Sequence, residues 1–385
     1  MFIVMAMILL MLVPVSIFLV HLFLFVGVLS NRFRERRIVE SGLPVLKERV
    51  SVVVAAKDEE DSLPLLLRSL ETQSFSDFDI VLANDRSTDR TLEIMEEFRK
   101  KLGDRVRVID NQEEQQALNP KQYILDKAIS QAGGGIIMFT DADCLLPAAW
   151  VEYHLSYFCN PEIGVVFGQI SIDDRGTFLE RYQAFDQPLI HQYSCGCAAL
   201  GLPTGCFGNN LAARRQAIDE IGGFAGLGYT VTEDAALISA VGKKWQVRVS
   251  SITSTMIETK AKENWLDFIH QHIRWNIGGF YSKDLGTRIG YRFIVLYLVL
   301  SLLVLPFSLL YPILLVYPLT SFVSIGLLAM VSGLLYRKNK CSFLLRFVPY
   351  TLFFMFFYSF ITVLSILKVS PEWKGKKYKA TRPDH

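Results

Sequence analysis

The sequence predicts an α/β protein with a mixed, mostly parallel sheet, helices on both sheet faces, and transmembrane α-helices at both ends. The run Val50 to Ala56 is rich in β-branched residues, which is typical of a strand buried on both faces. Stretches of helical periodicity separate this run from three further strand-like runs, and such alternation implies a parallel sheet. Hydrophobic residues make up 51% of the chain, mean hydropathy is +0.29, and the apolar excess lies at the two ends.

The first element is an apolar segment from Phe2 to Leu29 that is long enough to cross a bilayer. We therefore assign residues 1–30 to an N-terminal transmembrane helix and 31–49 to a polar linker. A signal peptide is the alternative, but no basic residue precedes the segment and no small-x-small cleavage site follows it. Four arginines follow the segment directly: Arg32, Arg34, Arg36 and Arg37. Positive charge marks the cytoplasmic end of a span, so the middle of the chain should be cytosolic.

The following elements alternate in type up to residue 140. In order they are the strand 50–56, a helix that Ser62 caps and that runs to about Gln73 with Pro64 in its first turn, the strand 79–83, a helix 88–101 ended by Gly103, the strand 105–109, a helix 119–132 and the strand 136–140. Ligands of such sheets bind outside the carboxyl ends of the strands. Asp58, Asp85 and Asp141 each lie just past a predicted strand end, so we expect them to converge on one cleft.

The C-terminal part is apolar again. We assign 262–290 to amphipathic, interfacial helices, 291–368 to a transmembrane region of two or three spans, and 369–385 to a basic tail. Three spans would put the tail outside, whereas its basic residues favour the inside, and the sequence leaves this conflict open. The net charge of +2 gives no argument for nucleic acid, because lipid headgroups suffice to explain basic residues beside membrane segments.

Asp141, Ala142 and Asp143 follow the predicted strand 136–140. Residues two apart in an extended chain point the same way, so the two carboxylates make a hard oxygen site suited to Mg²⁺ or Mn²⁺. A departing nucleoside diphosphate needs such an ion, because negative charge builds on the bridging oxygen. We expect Asp143, helped by Asp141, to bind the metal.

Two further acidic patches have both a structural and a functional interpretation. Asp85 lies in a strand-to-helix turn, where Ser87 or Thr88 could cap the helix and the Asp85 carboxylate could accept from a base N–H. Thr232 and Asp234 could likewise cap the apolar helix that follows them. A carboxylate in this place could instead take the proton of an acceptor hydroxyl, which is a poor nucleophile until deprotonated.

Gln271, Arg274 and Trp275 have the spacing i, i+3 and i+4, which places them on one helical face. Arg can hold a leaving diphosphate bidentately, and Trp can stack on an acceptor sugar. An amphipathic helix at the lipid boundary is the alternative, and both can hold together.

These patches together resemble the membrane-bound, inverting glycosyltransferases of family 2, which use nucleotide-sugar donors. The resemblance covers roughly residues 50 to 280. The branch it resembles contains cellulose, chitin and hyaluronan synthases and ceramide glucosyltransferases. It implies a cytosolic GT-A-type (Rossmann-like) glycosyltransferase domain over 50–261.

The resemblance also implies roles for individual residues. Asp234 would be the catalytic base, and Asp85 would hold the uracil ring. Ala56, Lys57 and Glu59 would lie around the nucleoside, although Ala55 and Asp58 here replace the family's usual Pro and Asn. Lys121 and Asp141 would lie near the donor diphosphate. The alternative for Lys121 is a solvated charge on a helix. The resemblance also implies that the loop Thr204 to Asn210 lies beside the acceptor.

The predicted function is inverting transfer of a sugar from a UDP-sugar to a membrane-associated acceptor, with Mg²⁺ or Mn²⁺ as cofactor. We expect an integral protein of the inner or plasma membrane whose active site faces the cytosol. A lipid acceptor is favoured, since a secretion channel usually needs more spans. A processive polysaccharide synthase is the alternative, and a catalytically dead membrane-anchored binding protein is a more distant one.

Cysteines and histidines add little to this prediction. Cys195, Cys197 and Cys206 lack a second chelating pair, so we expect reduced cytosolic thiols. The histidines lack ligand spacing and are expected to have no special role: His154, His191, His270 and His272.

Overall fold

The computed structural model describes residues 2–40, 46, 48–114, 117–173, 175–205, 207–336, 340–373 and 376–378. Cys206, residues 41–45 and 47 of the linker, and most of the basic tail lie outside these ranges. What we expected of them stays a prediction.

The regular elements follow the chain in a mixed order. The strands are β1 (Val50–Ala56), β2 (Phe78–Asp85), β3 (Val106–Asn111), β4 (Ile136–Asp141), β5 (Cys144–Leu145), β6 (Ile163–Gly168), β7 (Ile170–Ser171), β8 (Leu211–Arg214), β9 (Gln246–Ser250), β10 (Ile257–Thr259), β11 (Glu372–Trp373) and β12 (Lys376–Lys377). The helices are α1 (Phe2–Glu40), α2 (Leu63–Glu71), α3 (Thr91–Leu102), α4 (Pro120–Gln131), α5 (Trp150–Tyr157), α6 (Phe178–Ala199), α7 (Arg215–Asp219), α8 (Gly223–Gly226), α9 (Glu233–Val241), α10 (Trp265–Phe280), α11 (Leu285–Leu303), α12 (Val316–Tyr336) and α13 (Lys340–Ile366).

Seven strands of the described chain form the main sheet, in the order β3-β2-β1-β4-β8-β6-β9. The first four are parallel to one another, β8 is antiparallel to both of its neighbours, and β6 pairs with β9 in parallel. The central residues Val52, Val53 and Val54 are fully buried, as expected for a strand covered on both faces. The predicted mixed, mostly parallel sheet with helices is confirmed.

The chain divides into two compact units. The α/β unit contains Ser30–Asp173 and Cys197–Ala261, and it holds the main sheet and a small sheet of order β5-β10-β7. The helical unit contains Met1–Leu29, Asp174–Gly196 and Lys262–His385. Residues 174–196, which we expected within the α/β domain, therefore group with the apolar helices.

The helical unit is built around apolar helices. Within the described residues, four helical segments are long and apolar enough to cross a bilayer: Met11–Arg37, Leu285–Leu303, Pro312–Leu334 and Phe343–Ile366. The three C-terminal segments agree with the upper number expected from the sequence. α13 packs against α10, α11 and α12. Aromatic rings of α6, α10 and α13 fill the space between these helices, for example Tyr182, Phe268 and Phe357.

Three local expectations need correction. α1 continues to Glu40, so residues 31–40 of the expected linker are helical. Ser62 precedes α2 without a capping hydrogen bond, although Pro64 does lie in the first turn. α3 begins only at Thr91, so neither Ser87 nor Thr88 caps it. The prediction that Ser87 or Thr88 caps this helix was wrong, because both side chains form hydrogen bonds with Asp58 in the loop after β1 instead.

Candidate active site

The carboxyl ends of four parallel strands put the predicted donor-site residues at one edge of the sheet. Ala55 of β1 is in register with Asp141 of β4, and Ala56 is in register with Asn84 of β2. Asp85 is the next residue of β2 and pairs with Asn111 of β3. β2 and β4 both adjoin β1, which places their backbones roughly 10 Å apart. Asp85 and Asp141 thus share one edge.

The two loops that follow β1 and β2 are joined by reciprocal hydrogen bonds. The amide N–H groups of Asp58 and Glu59 donate to the side-chain hydroxyls of Ser87 (3.0 Å) and Thr91 (2.8 Å). In the other direction, the amide N–H of Thr88 donates to the Asp58 carboxylate at 2.7 Å. Asp58 and Arg86 have φ angles of 51° and 55°, a region that non-glycine residues rarely adopt. Such backbone geometry concentrates at ligand-binding sites.

Asp85 is buried, and the residues around it hold its carboxylate. Arg86 donates to both carboxylate oxygens, at 2.9 and 3.1 Å, and the Asn111 side-chain amide donates to one of them at 3.2 Å. An ionised carboxylate offers about four acceptor positions, so it can still accept from a base N–H.

Lys121 lies among three carboxylates that come from two separate segments of the chain. Its ammonium is 2.8 Å from Asp141 Oδ1 and 3.4 Å from Glu233 Oε1, and its side chain is only 21% exposed. Burial alone would lower the pKa of this ammonium, but the charges of Asp141, Glu233 and Asp234 outweigh burial and raise the pKa. Lys121 is therefore a permanent cation at this edge, and the alternative of a solvated helix charge is wrong.

The first turn of α4 holds Lys121 and also fixes the glycine-rich loop that precedes Thr232. Asn119 and Gln122 form a capping box at the start of α4. Gln122, which is fully buried, also donates to the Gly228 carbonyl at 2.9 Å and accepts from the Thr230 N–H at 3.1 Å. α4 thereby connects the position of Lys121 to that of the segment Thr232 to Asp234.

Asp234 lies in the first turn of α9 and is partly exposed. One carboxylate oxygen accepts from the Gly208 N–H at 2.8 Å and the other from the Ala235 N–H at 2.8 Å. A Cβ on residue 208 would come within 2.8 Å of the Asp234 Cβ, so only glycine allows this approach. Thr232 occupies the N-cap position but makes no side-chain capping bond, and capping by Thr232 is therefore wrong.

Asp141 and Asp143 are both partly exposed, while Ala142 between them is buried. Ala142 and Asp143 lie in a turn after β4, so the alternation expected for an extended chain does not apply to them, and a shared direction of the two carboxylates stays a prediction. The Cys144 thiol lies 3.6 Å from Asp143 Oδ1, and its sulfur accepts a hydrogen bond from the Asn209 side-chain amide at 3.5 Å. This brings the segment Gly208-Asn209 beside Asp143 as well as Asp234.

The donor set fits a divalent cation that is bound together with a diphosphate. Within the described residues, no group of three or more His, Cys, Asp or Glu side chains forms a complete metal site. Mg²⁺ is typically held by one or two carboxylates plus substrate phosphates and water. Two adjacent, half-exposed carboxylates meet this requirement.

Gln271, Arg274 and Trp275 lie on α10 in the helical unit. All three are half-buried, whereas His272, Ile273 and Asn276 of the same helix are buried, so the predicted common face exists. The other predicted site residues belong to the α/β unit: Ala56, Lys57, Glu59, Asp85, Lys121, Asp141, Asp143 and Asp234.

Several residues at these sites were not predicted from the sequence. Glu233 is 3% exposed and its Oε2 has no hydrogen-bond partner among the described residues. The structural role of Gln122 could have been predicted from the sequence, because Asn119-Pro120-Lys121-Gln122 has capping-box spacing. His272 forms a buried pair with Asp186, which the sequence did not predict because no spacing rule connects residues 86 positions apart.

Residues 51–222 match the family model described as Glycosyl transferase family 2. The comparisons support a family 2 glycosyltransferase domain. The mannosyltransferase PcManGT from Pyrobaculum calidifontis, solved with GDP-Man and Mn²⁺, is similar in structure to this chain. The TM-score is 0.53 at 16% identity, with 92% of this chain and 98% of that chain covered, which shows a shared GT-A-like fold.

Two curated relatives are similar in sequence to parts of this chain. The probable glycosyltransferase YdaM of Bacillus subtilis is 25% identical over 275 residues, which is 68% of this chain and 63% of YdaM. The poly(ribitol-phosphate) β-N-acetylglucosaminyltransferase TarS of Staphylococcus aureus is 33% identical over 117 residues, which is 28% of this chain and 20% of TarS. This chain thus spans only about a fifth of the length of TarS and less than two thirds of that of YdaM.

Proposed function

We propose that the whole chain is a membrane-bound family 2 glycosyltransferase that transfers a sugar from a UDP-sugar to an acceptor at the cytosolic membrane surface, with inversion. The observation that carries the proposal is the Lys121 ammonium among Asp141, Glu233 and Asp234 at the carboxyl edge of the parallel sheet. A fixed cation beside a pair of carboxylates suits a diphosphate, whose charge grows as the sugar leaves.

In the proposed reaction, Asp85 holds the nucleobase and the loops after β1 and β2 surround the nucleoside. Binding of the nucleotide orients the anomeric carbon. Asp234 takes the proton of the acceptor hydroxyl, which then attacks from the side opposite the diphosphate. The Gly208 and Ala235 N–H groups orient the Asp234 carboxylate for this role.

Asp143 and Asp141 would hold Mg²⁺ or Mn²⁺, which supplies positive charge at the departing diphosphate. Lys121 can neutralise the same group. For Gln271, Arg274 and Trp275 the roles rest on the motif: Arg274 at the diphosphate, Trp275 and Gln271 at the acceptor. Their common half-buried face supports joint action.

We favour a lipid acceptor over a growing polysaccharide, because the four candidate spans among the described residues are few for a protein that also exports a polymer. The name of TarS supports the alternative, since its acceptor is a poly(ribitol-phosphate). The name of PcManGT gives a reason to test GDP-sugars beside UDP-sugars.

The test is a panel of UDP- and GDP-sugars with detergent-purified full chain and membrane lipid extract, with nucleotide release and product mass measured together. One added sugar per lipid, dependent on a UDP-sugar and abolished by EDTA, supports the proposal. A ladder of products would replace the lipid acceptor with a polymer. Unchanged release in Asp143→Asn and Asp234→Asn would contradict the assigned roles, and no turnover with any donor would favour a dead binding protein.

A further inference from the structure

Asp186 of α6 and His272 of α10 form a buried pair inside the helical unit. His272 Nε2 lies 2.8 Å from Asp186 Oδ2, and the side chains are 1% and 0% exposed. His272 Nδ1 lies 2.9 Å from the carbonyl oxygen of Phe268. A carbonyl only accepts, so Nδ1 carries hydrogen, and both ring nitrogens have a directional partner. The imidazole is therefore fixed in orientation.

Aromatic rings of two helices, α10 and α13, surround this pair. The His272 ring centroid lies 4.1 Å from Phe268, 5.1 Å from Phe357 and 5.6 Å from Tyr358. Burial raises the pKa of the Asp186 carboxyl, while the charge of His272 and hydrogen bonds from His272 and Tyr358 oppose this rise. A buried ionisable pair is weak evidence for stability, and its best-attested use is to fix register between packed helices.

The pair acts on the helix face that carries the predicted catalytic motif. Phe268, His272 and Asn276 follow each other at intervals of four and face inward, where the Asn276 amide donates to Thr362 at 3.2 Å. The His272 ring is 5.0 Å from the Trp275 ring, tilted by 60°. Whatever fixes the rotation of α10 at His272 thus also fixes the direction of the face formed by Gln271, Arg274 and Trp275.

We propose that Asp186 and His272 are positioning residues that hold α10 in one rotation and so orient Gln271, Arg274 and Trp275. The inference rests on the proposed function, in which those three residues act on the leaving diphosphate and the acceptor. Aromatic packing alone lets a helix turn or slide, whereas the carboxylate–imidazole bond is directional.

The chain offers a matched control for loss of a buried histidine. In the α/β unit, His154 Nδ1 lies 2.9 Å from the Trp150 carbonyl oxygen, and its ring is 5.5 Å from the Trp150 ring at 59°. Its Nε2 has no hydrogen-bond partner among the described residues. His154→Asn therefore reproduces the helix, carbonyl and indole surroundings of His272→Asn without a carboxylate partner.

The experiment compares His272→Asn, Asp186→Leu, Asp186→Asn and His154→Asn in the full chain purified in detergent. We expect His272→Asn and Asp186→Leu to lower kcat by about 10- to 100-fold with the donor KM little changed, because a small misplacement of a positioned group has effects of that size. Asp186→Asn should restore most of the activity, because a carboxamide can still donate to Nε2. His154→Asn should keep kcat.

Trp275 fluorescence reports on the surroundings of α10 without any turnover. Trp275 emission is taken as the difference between each variant and the same variant carrying Trp275→Phe. We expect it to shift in His272→Asn and Asp186→Leu and to stay unchanged in Asp186→Asn and His154→Asn.

The proposal is overturned if Asp186→Asn and Asp186→Leu lose the same activity, if His272→Asn keeps kcat, or if Trp275 emission is unchanged in both disruptive variants. Should His272→Asn fail to fold, the Asp186→Leu and Asp186→Asn comparison decides alone. Absence of turnover in the unaltered chain contradicts the proposed function. The shift in Trp275 fluorescence emission then still tests whether Asp186 and His272 position α10.

Discussion

Lys121 shows how a single charge can hold a site together. Glu233 is almost fully buried at 3% exposure, and a carboxylate in that position is costly unless a cation lies close. The Lys121 ammonium is 3.4 Å from the Glu233 carboxylate and also contacts Asp141 at the end of β4. Removal of the ammonium leaves carboxylates that repel one another.

We therefore expect Lys121→Met to lower sugar transfer by about 100-fold, the size typical of losing one preorganised charge at a reacting oxyanion. Loss of a partner from a buried pair should also lower the apparent Tm by roughly 5 °C or more. Nucleotide release and a thermal shift assay measure the two effects.

Lys101→Met is the matched control, because Lys101 is 63% exposed and pairs with Glu71 at the surface. Exposed pairs contribute about 1 kcal/mol or less, so neither activity nor Tm should change measurably. Equal effects of the two substitutions would mean that Lys121 acts only as a surface charge.

Gly208→Ala tests the close approach of the loop to Asp234. The added Cβ would lie 2.8 Å from the Asp234 Cβ, so the loop or the carboxylate must move and the Gly208 N–H bond lengthens. We expect kcat to fall about 10- to 100-fold while the donor KM stays similar. Gly290→Ala is the control, since no atom lies within 4 Å of a Cβ there. Normal kcat in Gly208→Ala would argue against Asp234 as the base.

At the scale of single elements, α4 is the part of the fold that connects the donor edge with the segment around Asp234. Its capping box starts the helix at Pro120, and the same first turn presents Lys121 on one side and Gln122 on the other. Asp126, one turn further on, accepts from the N–H groups of Phe224 and Ala225 at 2.9 and 3.3 Å. One helix thus holds both ends of the loop before Thr232.

Gln122→Leu should disturb this connection. It removes the partner of the half-buried Gly228 carbonyl and Thr230 N–H and of the buried Asn119 N–H, and the loss at the buried group alone costs about 1–3 kcal/mol. We expect a lower apparent Tm and a reduced kcat, because the Thr232 segment loses its support. Gln216→Leu is the control, since Gln216 bonds only the exposed Glu220 in the described structure. A Gln122→Leu protein with unchanged Tm would contradict this view of α4.

The sequence predicted the elements between residues 50 and 141 to within about three residues, because β-branched runs and glycine stops are local signals. Gly103, with a φ of 62°, does end α3 as expected. The part between 150 and 260 was mostly missed. β8 is only four residues long and inserts antiparallel between β4 and β6, and a short strand of this kind has no periodic signal of its own.

The same distinction explains which site residues were found. Asp85 and Asp141 follow buried strands, and their shared edge follows from parallel pairing alone. Lys121 and its neighbour Glu233 are 112 positions apart, and only the tertiary fold brings them together. The pair of Asp186 and His272 is of this second kind as well.

For the whole molecule, membrane attachment is the expected consequence of the four long apolar helices found among its described residues. The full chain should sediment with membranes, stay there after carbonate wash, and dissolve only in detergent. Fractionation with immunodetection measures this. Recovery in the carbonate supernatant would show that these helices lie on the membrane or pack among themselves.

The paired loops after β1 and β2 have one more consequence, for opening motions. Each loop satisfies backbone amides of the other: Asp58 and Glu59 donate to Ser87 and Thr91, and Thr88 donates back. Neither loop can therefore detach without exposing donors in its partner, and deuterium should enter both at one common rate. Bound nucleotide would slow that rate in the two segments alike, so mass spectrometry of two short peptides can detect donor binding without any acceptor.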